Sequence, residues 1–303
     1  MRFLKVRTQI RERQPKIYRE RQQAYWFILP CLLMLLLILG FPTTVAILNS
    51  FAPIWTRGSA TTFTLENYRK LAKDPIFWNS LGKTFYFVGG TVALHLLLGL
   101  AMALALNAEI KARRFFRVLA ILPWCMPDVI SGLIWGFMYD PLSGIINDVL
   151  MRLHLANTNI EWLANPNLAM PSVIFADVWR GYPYVMLILL AGLQAISKEL
   201  YEAARVDGAS VVQEFRYITI PKLKPMIVIA TVLDVIWQTR RFGLIYVMTA
   251  GGPGRETEII SILVYKEYFK YFNFEYASAM AVVMAIILLI VSLPYVRMIV
   301  RRV

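Results

Sequence analysis

The sequence is poor in charged residues: only 17% of its 303 residues are Asp, Glu, Lys or Arg, whereas 58% are hydrophobic. A single water-soluble fold cannot bury that much apolar surface, which excludes a soluble globular protein. Cysteine is scarce too, since Cys31 and Cys125 lie in apolar runs and form no C-x-x-C pair, so no disulfide framework is predicted. Of the two histidines, His95 lies on an otherwise apolar segment and is predicted to be packed or hydrogen-bonded rather than a ligand.

The short motifs that carry catalysis are missing as well. There is no G-x-x-x-x-G-K-[ST], no G-x-S-x-G and no H-E-x-x-H in the chain. We predict no catalytic residue, no metal site and no cofactor bound by this chain. The net charge of +13 does not indicate nucleic-acid binding, because the basic residues are divided among separate segments instead of clustering with aromatic ones.

Long hydrophobic runs are the dominant feature of the sequence. About 20 apolar residues are needed to cross a bilayer core of about 30 Å, and lipid-exposed segments of this kind must be helical to satisfy their backbone polar groups. The sequence therefore predicts an all-α integral membrane protein with six transmembrane helices. The predicted spans are 24–49, 84–107, 118–139 (interrupted only by Asp128), 171–196, 225–249 and 276–296.

Lys and Arg indicate how these spans are oriented. The first 23 residues carry eight of them, and further basic residues follow the second span at 111–117 and the sixth at 297–302, whereas 140–167 carries a single Arg152. Basic residues favour the cytoplasmic side, so both termini and the segment 197–224 are predicted to be cytoplasmic. We read 1–23 as a basic cytoplasmic tail and 24–303 as the membrane domain, with the first span retained as an anchor rather than cleaved as a signal peptide.

The polar segment 197–224 predicts a helix, a bend and a second helix. Residues 199–207 include strong helix formers, and Gly208 lets the chain leave the helical path at no Cβ cost. An apolar-periodic stretch, 211–220, follows, and we expect Pro221 to end it. The first helix presents a compact apolar face made of Leu200, Ala203 and Ala204.

The same segment resembles a known element. Glu202-Ala203-Ala204, three residues, Gly208, nine residues, Ile218 and Pro221 resemble the cytoplasmic coupling loop of the permease subunits of bacterial ATP-binding-cassette (ABC) importers. Other short strings resemble the carbohydrate-uptake branch, of the maltose-transporter type. They are 192–196, 207–210, 220–223, Leu122-Pro123-Trp124, Trp179-Arg180-Gly181, 244–247 and Gly251-Gly252-Pro253.

This resemblance implies a type I ABC importer permease fold in the bacterial inner membrane and the import of a disaccharide, an oligosaccharide or a related polyol phosphate. It also implies a second, homologous permease subunit, a dimer of ATPase subunits that binds ATP and Mg and hydrolyses the ATP, and an extracytoplasmic solute-binding protein. Within the coupling loop, Glu202 would make a polar contact with the ATPase and Gly208 would set the bend. The full set of coupling residues implied is Glu202, Ala203, Ala204, Asp207, Gly208 and Pro221.

A candidate path for the cargo lies on the fifth span. Asp234, Gln238 and Arg241 recur at i, i+4 and i+7 and so share one helical face, with Trp237 beside it. Polar groups of this kind bind sugar hydroxyls, and an indole ring packs on the C–H face of a pyranose. Asp128 in the third span is a second candidate for the same cavity. An alternative is that Asp and Arg only form a structural pair between helices, and both interpretations stay open.

Arg240-Arg241 is more basic than this part of the resembled family usually is. The pair leads to the hypothesis that the cargo is anionic, because a guanidinium facing a wet cavity binds a carboxylate or phosphate in bidentate fashion.

Two other classes of function compete with this one. An ion-coupled secondary carrier would use the intramembrane carboxylates Asp128 and Asp234, but we find no internal repeat, and the coupling segment would have no purpose. A membrane scaffold or receptor would need a soluble module, for which no segment is long enough.

Overall fold

The computed structural model of the chain describes residues 25–52, 63–108 and 111–300, with side chains up to 293. Most of the described residues are helical, and none of them forms a β-strand. The helices are α1 Tyr25–Ser50, α2 Glu66–Lys73, α3 Pro75–Asn107, α4 Arg113–Cys125, α5 Asp128–Met138, α6 Ile145–Arg152, α7 Pro166–Gln194, α8 Lys198–Val206, α9 Val211–Glu214, α10 Ile220–Thr239, α11 Gly243–Thr249, α12 Ile260–Tyr265 and α13 Phe274–Val300. The predicted tail 1–23 lies outside the described residues.

The predicted spans are partly confirmed. Within the described residues, four helices, α1, α3, α7 and α13, are long and apolar enough to cross a membrane. A fifth crossing results if α4 and α5 are counted together. The helix α10 has 20 residues but begins in a segment that carries Lys222 and Lys224. The count of six crossings therefore stays a prediction.

The third predicted span is not one continuous helix. Its two halves, α4 and α5, meet at an angle of 96°. The break lies at Met126-Pro127, where Met126 is extended (φ −77°, ψ 135°). A proline disfavours the helical conformation of the residue before it, which explains the break. The prediction of one helical span over 118–139 is therefore wrong as to its continuity.

The fifth predicted span is broken as well. Its helix α10 ends at Thr239, and α11 begins only at Gly243. The three residues between them leave the helical ladder, and the Ser261 hydroxyl donates to the free carbonyl of Arg241 at 2.5 Å. The expectation of one helix over 225–249 was therefore wrong. In both broken spans, the chain leaves the helix next to a charged side chain, Asp128 in one and Arg241 in the other.

The core of the bundle is the packing of α3 against α7. Fully buried residues of both helices, such as Phe87, Val173 and Met186, fill the space between them. The helices α5, α10 and α11 pack around this pair, and α1 lies at the edge against α13. In α1 the most apolar stretch has no buried residue, which suits a helix whose remaining surface faces lipid.

Close approach between α5 and α11 depends on one glycine. A Cβ at Gly132 would lie 3.0 Å from the carbonyl oxygen of Leu244 and 3.1 Å from Val247 Cβ. Gly132 therefore serves helix packing within the chain. A Cβ at Gly136, four residues further along α5, would meet nothing within 4 Å.

Candidate functional site

A cavity of about 550 Å³ opens where the two broken spans meet α7. Its lining combines charged, amide and aromatic side chains, the chemistry expected of a surface that binds sugar hydroxyls. The lining residues are Trp124, Asp128, Arg180, Gly181, Tyr184, Asp234, Trp237, Gln238, Arg240 and Arg241. All five residues predicted for the cargo path are in this set.

Asp128 joins the two helix breaks electrostatically. It is the first residue of α5, and its carboxylate accepts from Arg241 Nη1 at 3.2 Å. The same carboxylate lies 2.6 Å from Arg180 Nη2 on α7. Arg180 also donates through Nε to the carbonyl oxygen of Met126, at 3.1 Å, which is the carbonyl freed by the break between α4 and α5. The Arg180 guanidinium thus pairs with the Asp128 carboxylate and also satisfies the free carbonyl oxygen of Met126.

Arg241 is engaged by a second carboxylate. Its Nε lies 2.8 Å from Asp177 Oδ1, and the Asp177 side chain is completely buried. The same nitrogen donates to Gln238 Oε1 at 3.1 Å, and the amide nitrogen of Gln238 donates to Asp234 at 3.1 Å. The Arg241 guanidinium therefore links the polar side chains of α10 to α5 and α7. The alternative predicted from the sequence, an Asp–Arg pair between helices, is present in the structure.

His95 on α3 closes the network. Its Nδ1 lies 2.8 Å from Asp234 Oδ2, and its Nε2 lies 3.2 Å from the backbone oxygen of Asp177. Both ring nitrogens face oxygen atoms, and only an imidazolium donates to both. The ring fits between α3 and α7 because residue 181 is glycine: a Cβ there would lie 2.4 Å from the ring of His95.

Three aromatic rings form one wall of the cavity. Trp237 and Tyr184 lie with ring centroids 4.5 Å apart, and Tyr184 stacks on Trp124 at 6.1 Å. Trp237 keeps 42% of its surface exposed. The wall therefore offers an open aromatic face beside hydrogen-bonding groups, as sugar binding requires.

The residues of the site that the sequence does not predict lie on α3, α4 and α7. His95 was expected to be only a packed or hydrogen-bonded residue, and it is hydrogen-bonded, but within the cluster. The sequence patterns do not single out Asp177, and Arg180 and Trp124 enter them only through the family resemblance. The rule that intramembrane charges face a cavity or a partner would have identified Asp177 and Arg180, since they lie three residues apart in an apolar span.

At the other end of the molecule the predicted coupling segment has the expected shape. Ser197 caps α8 by accepting from the backbone N–H of Glu199, and Gly208 adopts φ +81°, the left-handed region that favours glycine. In α8, Glu202 and Ala203 are exposed and Ala204 is half-buried. Asp207 follows as the exposed C-cap residue.

The bend is held by two side-chain contacts between α8 and the segment after it. Arg205 Nε donates to Glu214 at 2.8 Å, and the hydroxyls of Tyr201 and Thr219 lie 3.0 Å apart. The hydrogen bond from Arg205 lowers the pKa of Glu214, partly opposed by desolvation, and the same contact raises the pKa of Arg205. The ion pair therefore favours the charged forms that hold α8 in place.

Pro221 does not end the second helix, contrary to the expectation. A π-helical turn over Phe215–Thr219 connects α9 to α10, and Pro221 lies in the first turn of α10. A proline is tolerated there because the ladder has already been rearranged by the wider turn. The helical path from Val211 to Thr239 is thus continuous and joins the bend to the cavity.

Comparison with known proteins assigns the chain to a family. A model of the binding-protein-dependent transport system inner membrane component matches residues 95–303, well over half of the chain. The chain belongs to this family. Among curated relatives, the trehalose/maltose transport system permease protein MalF of Thermococcus litoralis is 36% identical over 92% of this chain and 94% of its own. The sulfoquinovosyl glycerol transport system permease protein SmoG of Agrobacterium fabrum is 34% identical over 92% of this chain and 91% of its own.

Solved structures show the same fold. A chain of a bacterial alginate ABC transporter, in complex with an alginate pentasaccharide-bound periplasmic protein, superposes with a TM-score of 0.79 at 21% identity. The superposition covers 92% of this chain and 94% of that one. The predicted all-α ABC importer permease fold is confirmed, and the chain is a multi-pass membrane permease.

Proposed function

We propose that this permease is a subunit of an ATP-driven importer of a di- or oligosaccharide, with the cavity as the cargo path and α8 as the coupling element. The observation that carries the proposal is the continuous helical path from Val211 to Thr239, which has the bend at one end and Asp234 and Gln238 near the other. At 1.5 Å per residue, Val211 and Asp234 are about 35 Å apart along it. A force applied at the bend therefore reaches the cavity.

The exposed apolar surface of the bend favours the binding of a partner subunit. No residue of α8 is buried, and the apolar side chains around the bend are unusually exposed for their type. They are Leu200, Val206, Val211, Val212 and Tyr217, with Val206 at 88% exposure. We assign this surface to an ATPase subunit that binds ATP and Mg, with Glu202 at the contact. The permease itself supplies no catalytic group.

The remaining partners follow from the same assignment. The permease pairs with a second, homologous permease, and a solute-binding protein delivers the sugar; one structural relative was solved with such a periplasmic protein. Named sugar relatives support this cargo class, since MalF belongs to a trehalose/maltose system. With α8 on the ATPase side, both termini lie in the cytoplasm of a bacterial cell and the domain spans the inner membrane.

The charge of the cavity bears on whether the cargo is neutral or acidic. Arg241 was the predicted partner of an anion, but two carboxylates already engage it. With His95 as imidazolium, Asp128, Asp177 and Asp234 balance His95, Arg180 and Arg241. Arg240 is exposed to the cavity and makes no ion pair within the described part of the chain. The balance supports a neutral sugar, and an acidic cargo would have to bind through Arg240.

Crosslinking tests the coupling assignment. In a chain whose Cys31 and Cys125 are replaced by Ser, Glu202→Cys should crosslink to the ATPase subunit in the assembled complex. Leu142→Cys is the control, because Leu142 is 91% exposed and lies in the segment predicted to face the opposite side. Crosslinks to the ATPase from position 142 but not from 202 would overturn the assignment.

Sugar-stimulated ATPase activity tests the mechanics of the bend. Gly208→Val should uncouple the activity while the complex stays assembled, because a β-branched residue is strained at φ +81°. Gly208→Asn is the matched control and should retain coupling, since Asn tolerates the left-handed region. Uptake that survives vanadate but stops when the proton gradient is dissipated would favour the ion-coupled carrier instead.

A further inference from the structure

A second cavity, of about 630 Å³, lies at the end of the molecule that carries the bend. It is surrounded by the end of α3, the start of α4, the end of α7 and the coupling elbow, which is the bend at Gly208 between α8 and α9. Its lining residues are Leu104, Asn107, Arg113, Arg117, Leu193, Gln194, Ile196, Lys198, Tyr201, Arg205, Glu214 and Thr219. None of these residues belongs to the cargo cavity.

The lining is strongly cationic. Among the described residues that line it are four basic side chains and one carboxylate, Glu214, which Arg205 binds. The other three basic side chains come from two helices, Arg113 and Arg117 from α4 and Lys198 from α8. Like charges gathered in one concave site repel one another, so a site lined by this many basic side chains favours an anion.

Arg117 is the candidate anion-binding residue of this cavity. Its Nε and Nη2 atoms are buried and have no hydrogen-bond partner within the described part of the chain. A buried donor without an acceptor is energetically unfavourable, and more so when it is charged. The neighbouring Arg113 is different, because its Nε donates to the carbonyl oxygen of Leu106. The guanidinium of Arg117 therefore presents two donors in a fork that matches the oxygens of a phosphate group.

We propose that this basic cavity binds a phosphate-ester anion through Arg117, with Arg113 and Lys198 supplying charge, and so ties the coupling elbow to α4. The ligand bridges two parts of the chain because Lys198 opens α8 whereas Arg117 lies on α4. The same chemistry has two sources, the headgroup of an anionic phospholipid at the membrane surface or a soluble phosphate ester. This binding is independent of the cargo and of the cargo cavity.

The experiment uses the assembled transporter, purified in detergent and free of nucleotide, because ADP is itself a phosphate ester. The thermal unfolding midpoint is measured against glycerol 3-phosphate in one arm and against dioleoyl phosphatidylglycerol in the other, at constant ionic strength. A ligand that binds the folded form raises the midpoint in a saturable way. The variants are Arg117→Gln and Lys198→Gln. The matched control is Arg114→Gln, which removes the same charge from an exposed residue of α4 outside the lining.

We expect a saturable rise of the midpoint in at least one arm for the native chain and Arg114→Gln, with apparent affinities within about twofold of each other. Arg117→Gln should weaken the apparent affinity by about tenfold or more, the loss of about 1.4 kcal/mol. Arg117→Lys keeps the charge but not the fork and should fall between the two. A response to the lipid alone identifies a headgroup site, and a response to glycerol 3-phosphate identifies a soluble ligand.

Two outcomes would overturn the proposal. One is a response that is the same in Arg117→Gln, Lys198→Gln and Arg114→Gln, since the anion would then bind elsewhere. The other is no response in either arm, which is the result expected if a carboxylate of the ATPase subunit fills the cavity. Should Arg117→Gln fail to assemble, Lys198→Gln against Arg114→Gln decides between the same results.

Discussion

His95 Nδ1 on α3 lies 2.8 Å from Asp234 Oδ2 on α10, although the two residues are 139 positions apart in the sequence. The contact is buried and connects the core helix pair to the helix that continues into the coupling elbow. It therefore makes the position of α10 depend on how α3 and α7 hold the imidazole ring. The first prediction concerns the space in which that ring lies.

Gly181→Ala should displace His95, because the added Cβ would lie 2.4 Å from the ring. We expect a loss of about 1–3 kcal/mol of stability from overpacking, seen as a lower unfolding midpoint of the purified complex. Gly136→Ala is the control, since a Cβ there meets nothing within 4 Å and alanine is the better helix former. Equal midpoints for the two variants would contradict the close fit.

Arg241→Met should be strongly destabilising, while Arg240→Met should change stability by less than about 0.5 kcal/mol. Removing Arg241 leaves Asp177 buried without its cation, and breaking a buried pair in this way costs about 3–5 kcal/mol. The neighbouring Arg240 is exposed and pairs with no carboxylate among the described residues. Both variants are measured by thermal unfolding. Combining Arg241→Met with Asp177→Asn should recover part of the loss, and additive losses would refute the pairing.

Trp237→Ala should raise the sugar concentration needed for half-maximal stimulation of ATPase activity. A stacked aromatic contact contributes about 0.5–1.5 kcal/mol beyond its buried area, which corresponds to roughly a two- to tenfold change. Trp26→Ala is the control, because Trp26 is an exposed residue of α1, away from the cavity. A change in maximal activity with no change in the half-maximal concentration would argue against a cargo-binding role for Trp237.

The Arg205–Glu214 pair should make the elbow sensitive to acid but not to changes near neutral pH. Because the pKa of Glu214 is lowered below its ordinary value of 4.5, the stabilisation is fully present above that value and is lost as the pH falls through the lowered pKa. The protection of the α8 amides against hydrogen exchange, expressed relative to the intrinsic rate at each pH, should therefore fall only below about pH 4.5.

Variants at both positions separate this pair from other acid effects. Glu214→Gln should show fast exchange of α8 already at pH 7, with no further acid-dependent step. In a double-mutant cycle, adding Arg205→Met to Glu214→Gln should have little additional effect. Full additivity of the two single changes would mean that the residues do not interact.

How far the site could be predicted depended on where its residues lie in the sequence. Asp234, Trp237, Gln238 and Arg241 share one stretch of chain, so helical periodicity was enough to group them. His95 and Asp177 come from other helices and carry no local signal of which residues they meet. Pro127 carries a local signal for the helix break, because a proline disfavours the helical conformation of the residue before it.

The sequence by itself determined that the chain is a helical membrane protein with a polar elbow, because hydropathy, charge bias and the glycine at position 208 are properties of short segments. Only the tertiary structure decided that both broken spans meet at Asp128 and Arg241, that His95 lies against Asp234, and that α9 continues through Pro221 into α10. These relationships depend on how helices distant in sequence pack together. No local pattern records the pairing of charges across that packing, so it emerges only once the bundle is assembled.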